Sequence, residues 1–251
     1  MKPASPFAQL LLITGLGLGV ATCACGTPAS ADPGDNNSAS PTSPGRGDMA
    51  APKELLDKAV KRPAPDASKS VLPDGVEAPV ESRVLDFDEE TAAKVNIDLS
   101  IAYLAERVRS LIAIKGVPDL PREDKGLGYK HPLTLSLLVL RDANVVKRMT
   151  DAQRRSVAAL GIYLLDDTSI IKDDSPHDGA RVCVQHVAQR VLESVAGRTF
   201  GNLFMSGGLR PDGMDEKLRA ESVKAKRDWA AWWEIAAGSD CSVWSTLKVG
   251  E

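Results

Sequence analysis

Histidine is nearly missing from this 251-residue chain, with His131, His177 and His186 the only three. Neither G-x-S-x-G nor H-E-x-x-H occurs, and no cysteine stands in a recognised nucleophile pattern with a base. Carboxylate pairs remain a route to hydrolysis, but nothing in the spacing singles out a pair. The expectation is therefore a protein that is not an enzyme, with no catalytic residues and no cofactor. A surplus of positive charge is also missing. The formal charge is −3, and lysines and arginines are interleaved with acids throughout, which excludes the concentrated basic face that nucleic acid requires. Aromatic residues make up only 4% of the chain, yet all four tryptophans fall between positions 229 and 244. Cysteine occurs four times, as Cys23 and Cys25 near the start and as Cys183 and Cys241 far from it.

The one long apolar run, Leu10 to Val20 (LLLITGLGLGV), follows a short start carrying Lys2 and precedes the small residues ATCACG. That is the layout of an export signal, predicted over residues 1–22. An uncleaved anchor is the alternative, since Phe7 to Gly26 is about long enough to cross a bilayer. Val20-Ala21-Thr22-Cys23 resembles the lipobox of bacterial lipoproteins, with Thr22 where a smaller residue is usual, and Ala29-Ser30-Ala31 offers an ordinary cleavage site instead. The resemblance implies lipidation of Cys23, a membrane partner through the lipid anchor, and a place in the cell envelope facing the periplasm or the cell surface.

Residues 23–82 are rich in Pro, Ser, Ala, Gly and Asp, and read as a disordered linker in which Lys53 to Lys61 forms at most a transient turn of helix before Pro63 and Pro65. From residue 83 to 247 helical spacing dominates. A first helix starts after Asp88. Leu99 to Lys115 carries Leu104, Ala105, Val108, Leu111 and Ile112 on one stripe. Pro132 to Leu140 fits a strand or a buried helix, and helix is preferred for want of a partner strand. Thr150 with Gln153 spells a capping box. An acidic loop, Asp166 to Asp178, leads into Asp178 to Gly201, whose Val184, Val187, Ala188, Val191, Leu192 and Val195 mark a core helix ending at Gly197. Met214 to Gly238 is the last helix. This pattern predicts an all-α domain without alternating strands.

Arg181 to Leu192, with the pattern R-V-C-x-x-x-V-A-x-x-V-L, is similar to the second half of a HEAT-like helical repeat, preceded by Leu164-Leu165-Asp166-Asp167 and followed by Gly197 to Gly201 and the tryptophans. The resemblance covers roughly Leu133 to Glu234 and implies a short α-solenoid-like stack that binds a protein partner, with no catalytic residues. The chain departs from that family in showing no clean period of 40 to 47 residues.

Three residue groups invite chemistry. Cys183 and His186, three apart on one helix, could approach a metal ion, but no second ligand pair has suitable spacing, and no metal is expected. The acidic loop lacks the ordered spacing of a calcium loop. Cys183 and Cys241 form a candidate disulfide in an oxidising compartment, worth about 4 kcal/mol for the loop it would close, the alternative being that each is simply a small buried side chain. Trp229 and Trp233 should face the core, and core packing is the preferred reading of the tryptophans; the alternative is that Trp232, off their line, forms with Trp244 an exposed, partner-binding aromatic anchor. The expected function is an exported, lipid-anchored envelope protein whose helical domain is a protein-interaction scaffold. The alternatives are an envelope small-ligand or peptidoglycan-associated binding protein, or an undetected hydrolase.

Overall fold

The structure is a computed structural model that describes residues 52–79, 85–114, 126–173, 181–203 and 216–249, all within the unit Arg46–Glu251. It is mostly helical, with 64% helix against 2% strand, and the all-α expectation holds. The export-signal run, Cys23 and Cys25 lie outside the described residues.

Eight α-helices follow one another among these residues: α1 (Pro52–Val60), α2 (Glu89–Lys94), α3 (Ile97–Ile114), α4 (Pro132–Leu140), α5 (Ala143–Arg148), α6 (Asp151–Leu164), α7 (Val184–Ala196) and α8 (Glu216–Ala236). A 3-10 helix, Cys241–Thr246, closes the described chain. Helix α6 is the hub. It packs against α1, α3, α7, α8 and the 3-10 helix, and its Ala158, Ala159 and Gly161 leave room for close neighbours. A Cβ at Gly161 would come within 2.9 Å of Leu192 Cδ2 on α7, so the α6–α7 crossing depends on that missing methyl.

Helix α7 buries all six residues of its predicted stripe, each large side chain contributing roughly 1.5–3 kcal/mol over exposure. It ends as expected on Gly197 in the left-handed region, at φ 65°. Its start is different. The helix begins at Val184, capped by Cys183, and Asp178 and Gly179 lie outside the described residues. Residues placed in the acidic loop instead form β1 (Ile170–Asp173), which pairs antiparallel with β2 (Arg181–Cys183) across a bulge after Ile170. The β-branched pair Ile170-Ile171 favours this ribbon, and Ile171 is buried beneath it. The first three residues of the HEAT-like pattern, Arg181 to Cys183, are thus strand rather than helix.

The linker boundary at residue 82 also needs correction. Helix α1 packs on α6 and α3, Ala59, Val71 and Leu72 are buried, and residues 52–79 belong to the domain rather than to a tether. Pro132–Leu140 is helical, as preferred, with Pro132 in the first turn and His131 accepting from Leu133 N as its cap. Helix α5, held by Asp142 as N-cap, was not foreseen.

Candidate functional site

The residues offered by sequence as a docking anchor lie inside. Trp232 is 0% exposed and Trp244 1%. Trp232 stands three residues after Trp229 and Trp233 four after, so both flank the same inward stripe. The 3-10 helix then covers the stripe from the other side. Trp232 Nε1 donates to Trp244 O at 3.3 Å, and Trp244 Nε1 donates to Ala236 O at 3.0 Å. The rings of Trp232 and Trp244 meet edge to face with centroids 5.4 Å apart, as do Trp229 and Trp232. Arg155 of α6 reaches over the Trp244 ring and donates to Ala237 O and Ser239 O at 2.7 and 2.6 Å. The cluster fastens α8 and the chain end to the hub and presents no aromatic anchor.

Cys183 and Cys241 are both buried thiols and are not joined. They sit at opposite ends of α7. Cys183 caps its start, while the 3-10 helix meets its end, where a Cβ at Gly197 would lie 3.2 Å from Ser245 Cβ. Thirteen residues of helix span roughly 20 Å, far beyond disulfide reach. Cys241 instead points its Sγ at Asp151 O, 3.9 Å away. Burial pushes its thiol up to about 11, against the opposing pull of Arg155, so the reactive thiolate is scarce at neutral pH. His186 is half-buried, and its Nδ1 accepts from Cys183 N at 3.1 Å, locking the start of α7.

The acidic loop does not gather oxygen ligands at its start. Asp167, 2% exposed, takes two bonds from Arg107, at 2.7 and 3.0 Å, while the exposed Asp166 pairs with Lys226 at 3.0 Å. Among the described residues no group of three or more histidine, cysteine or acidic side chains is placed to hold a metal, and no helix is long and apolar enough to cross a membrane. Asp174, His177 and Asp178 lie outside the described residues. Ser245 and Lys248 have the S-x-x-K spacing used by some serine hydrolases, a motif that the sequence reading overlooked. Both side chains are exposed at the end of the 3-10 helix, with no enclosed pocket around them among the described residues.

A different site emerges at the α2–α3 turn. There a cleft of about 390 Å³ opens between Ala92–Asp98, Arg148 at the end of α5 and Gln153 at the start of α6. Each wall is fixed by a cap. Asp88 accepts from Thr91 N at 2.7 Å, Asn96 accepts from Leu99 N at 3.0 Å, and buried Asp142 accepts from Asn144 N and Val145 N at 2.9 Å. The Thr150–Gln153 capping box, visible in sequence, orients the fourth element. Within the cleft Gln153 Nε2 donates to Asp98 Oδ1 at 3.3 Å, and Arg62 donates to the same oxygen at 3.2 Å. Lys94, held by Glu90 at 2.7 Å, and exposed Arg148 supply positive charge at the rim. The lining holds one carboxylate, Asp98, and no serine, cysteine or histidine. It can bind charges of both signs and donate hydrogen bonds, but it does not assemble a nucleophile with a base or a carboxylate pair.

No known protein family matches the chain, and no curated protein or solved structure is detectably similar to it.

Proposed function

We propose that this is an exported, lipid-anchored cell-envelope protein whose helical domain is a protein-interaction scaffold. The observation that supports binding is the open cleft at the α2–α3 turn, where Lys94, Arg148 and Asp98 stand on capped helix ends. Rigid helix termini presenting mixed charge suit the polar rim of a protein interface, where charge pairs set orientation and partner choice. Export is supported by the apolar run Leu10 to Val20, and lipid attachment by the lipobox resemblance ending at Cys23. The HEAT-like reading is carried by the helical part of its pattern alone, Val184 to Leu192. A second reading, a small polar ligand of the envelope, draws on the same cleft, whose volume lies in the ~300–1,000 Å³ range of ligand pockets.

Affinity capture from solubilised envelope, with the full-length protein as bait and Arg148→Glu as control, separates the two. A protein held by the wild type and lost from the folded variant supports the scaffold. Loss of a small polar molecule alone, with no protein held, replaces it with the ligand reading.

A further inference from the structure

Seven arginines among the described residues are half-buried, and six of them are engaged within the domain. Arg62 and Arg107 hold the carboxylates of Asp98 and Asp167, while Arg109, Arg154, Arg155 and Arg198 donate to main-chain carbonyls. Arg141 is the exception. It stands at the C-cap of α4, which packs on α7, and among the described residues its guanidinium makes no hydrogen bond and no ion pair. A planar cation with five N–H donors loses hydration on burial, and carboxylates or carbonyls ordinarily replace that water. The surroundings of Arg141 are set by one face of α7, where His186, Arg190 and Glu193 follow at four and three residues. Glu193 is the acid whose charge reaches Arg141, yet both its oxygens are taken. Oε1 accepts from Gln189 Nε2 at 3.0 Å and from Thr199 Oγ1 at 3.1 Å, and Oε2 accepts from Arg190 at 2.6 Å. Burial first, and then the like charge of Arg190, lower the Arg141 guanidinium against the opposing pull of Glu193. It remains a cation at neutral pH. Lys226 of α8, whose charge reaches His186, is paired with Asp166. Glu193 therefore offsets Arg190 and Asp166 offsets Lys226, which leaves the charge of Arg141 uncompensated.

We propose that Arg141, backed by Arg190, is the head of an anion-binding site at the α4–α7 junction, and that its ligand is a single carboxylate, borne by an acidic side chain or by a small organic acid. The guanidinium fork takes both oxygens of a carboxylate in its own plane. One uncompensated charge matches that monoanion and leaves a phosphate dianion half unanswered. The site lies outside the α2–α3 cleft and stands whether or not a partner docks there.

Nuclear magnetic resonance of the arginine Nε–H groups in the full-length protein, titrated with the blocked peptide acetyl-Gly-Glu-Gly-amide, tests it. The Arg141 signal should shift saturably, with half-effect below about 10 mM, and the glutamine counterpart of the peptide should bind at least tenfold more weakly. Arg141→Gln should abolish the accompanying shift at Arg190. Glu193→Gln raises the uncompensated charge to two and should tighten the peptide at least threefold. Arg190→Gln frees Glu193 to pair with Arg141 from inside and should weaken the peptide at least threefold. These opposite signs keep the test decisive if Arg141→Gln fails to fold. Acetate provides the small-acid arm: a tighter half-effect than the peptide's supports a free acid as ligand, a weaker one an acidic side chain. Equal shifts with the two peptides, no saturation by about 100 mM, or one affinity in both charge variants would overturn the site and leave Arg141 a solvated cation. Inorganic phosphate that binds tenfold more tightly than the peptide would overturn the carboxylate.

Discussion

Trp232 donates its indole N–H to the backbone of Trp244 and meets the rings of Trp229 and Trp244 edge to face, so it is a stability residue. Trp232→Ala should cost about 3–5 kcal/mol, read as a lower denaturant midpoint at unchanged slope; a loss under 1 kcal/mol would return it to the surface. His186 sets a pH dependence. Burial first, then Lys226 and Arg190, holds its imidazole below the ordinary 6.5, and its Nδ1 acts as an acceptor toward Cys183 N. The folded state therefore resists a proton that the unfolded chain takes up. This contribution is fully present above pH 6.5 and is lost as pH falls toward the depressed folded value. Urea midpoints measured from pH 7.5 to 5 should decline, and His186→Gln, which can keep the cap, should flatten the decline by about one proton. Equal slopes for the two proteins would refute the assignment.

At the scale of elements, α6 and α7 meet through a glycine. Gly161→Ala gains up to about 1 kcal/mol in helix propensity, but the new methyl presses on fully buried Leu192, and overpacking of ~1–3 kcal/mol should win. Thermal unfolding should show a net loss; a higher melting temperature would mean that Leu192 yields freely. Elements with a long period were legible in the sequence. The stripe on α7, the Gly197 stop, the Thr150–Gln153 box and the last helix all follow from side chains three and four apart. What escaped was short or non-local. Helix α1 lacks the length to exist alone, and its docking to α3 and α6 leaves no local trace. The β ribbon has only four and three residues per strand. The cleft is built from four separate helix ends, of which sequence exposed one capping box and one acidic start. The sequence left Trp232 open between core and surface because i+3 and i+4 straddle one helical line, and it left the disulfide open because two cysteines in one compartment say nothing of which end of a helix each occupies.

For the whole molecule, the chain combines a lipobox-like start with a helical domain whose tryptophans are inside and whose mixed charges line an open cleft. Anchoring through Cys23 predicts that labelled palmitate is incorporated by the wild type, that Cys23→Ala abolishes the label, and that this variant leaves the membrane fraction. Label retained by Cys23→Ala would move the attachment elsewhere, with Cys25 the adjacent thiol. The central claim, that an envelope protein docks at the α2–α3 cleft, is tested most directly by photo-crosslinking in cells, with a photoreactive residue at Arg148 and, as control, at exposed Val223 on α8, outside the cleft. A discrete adduct from position 148 in the membrane fraction, absent from position 223, is the predicted result; no adduct from 148, or the same adducts from both positions, would contradict it.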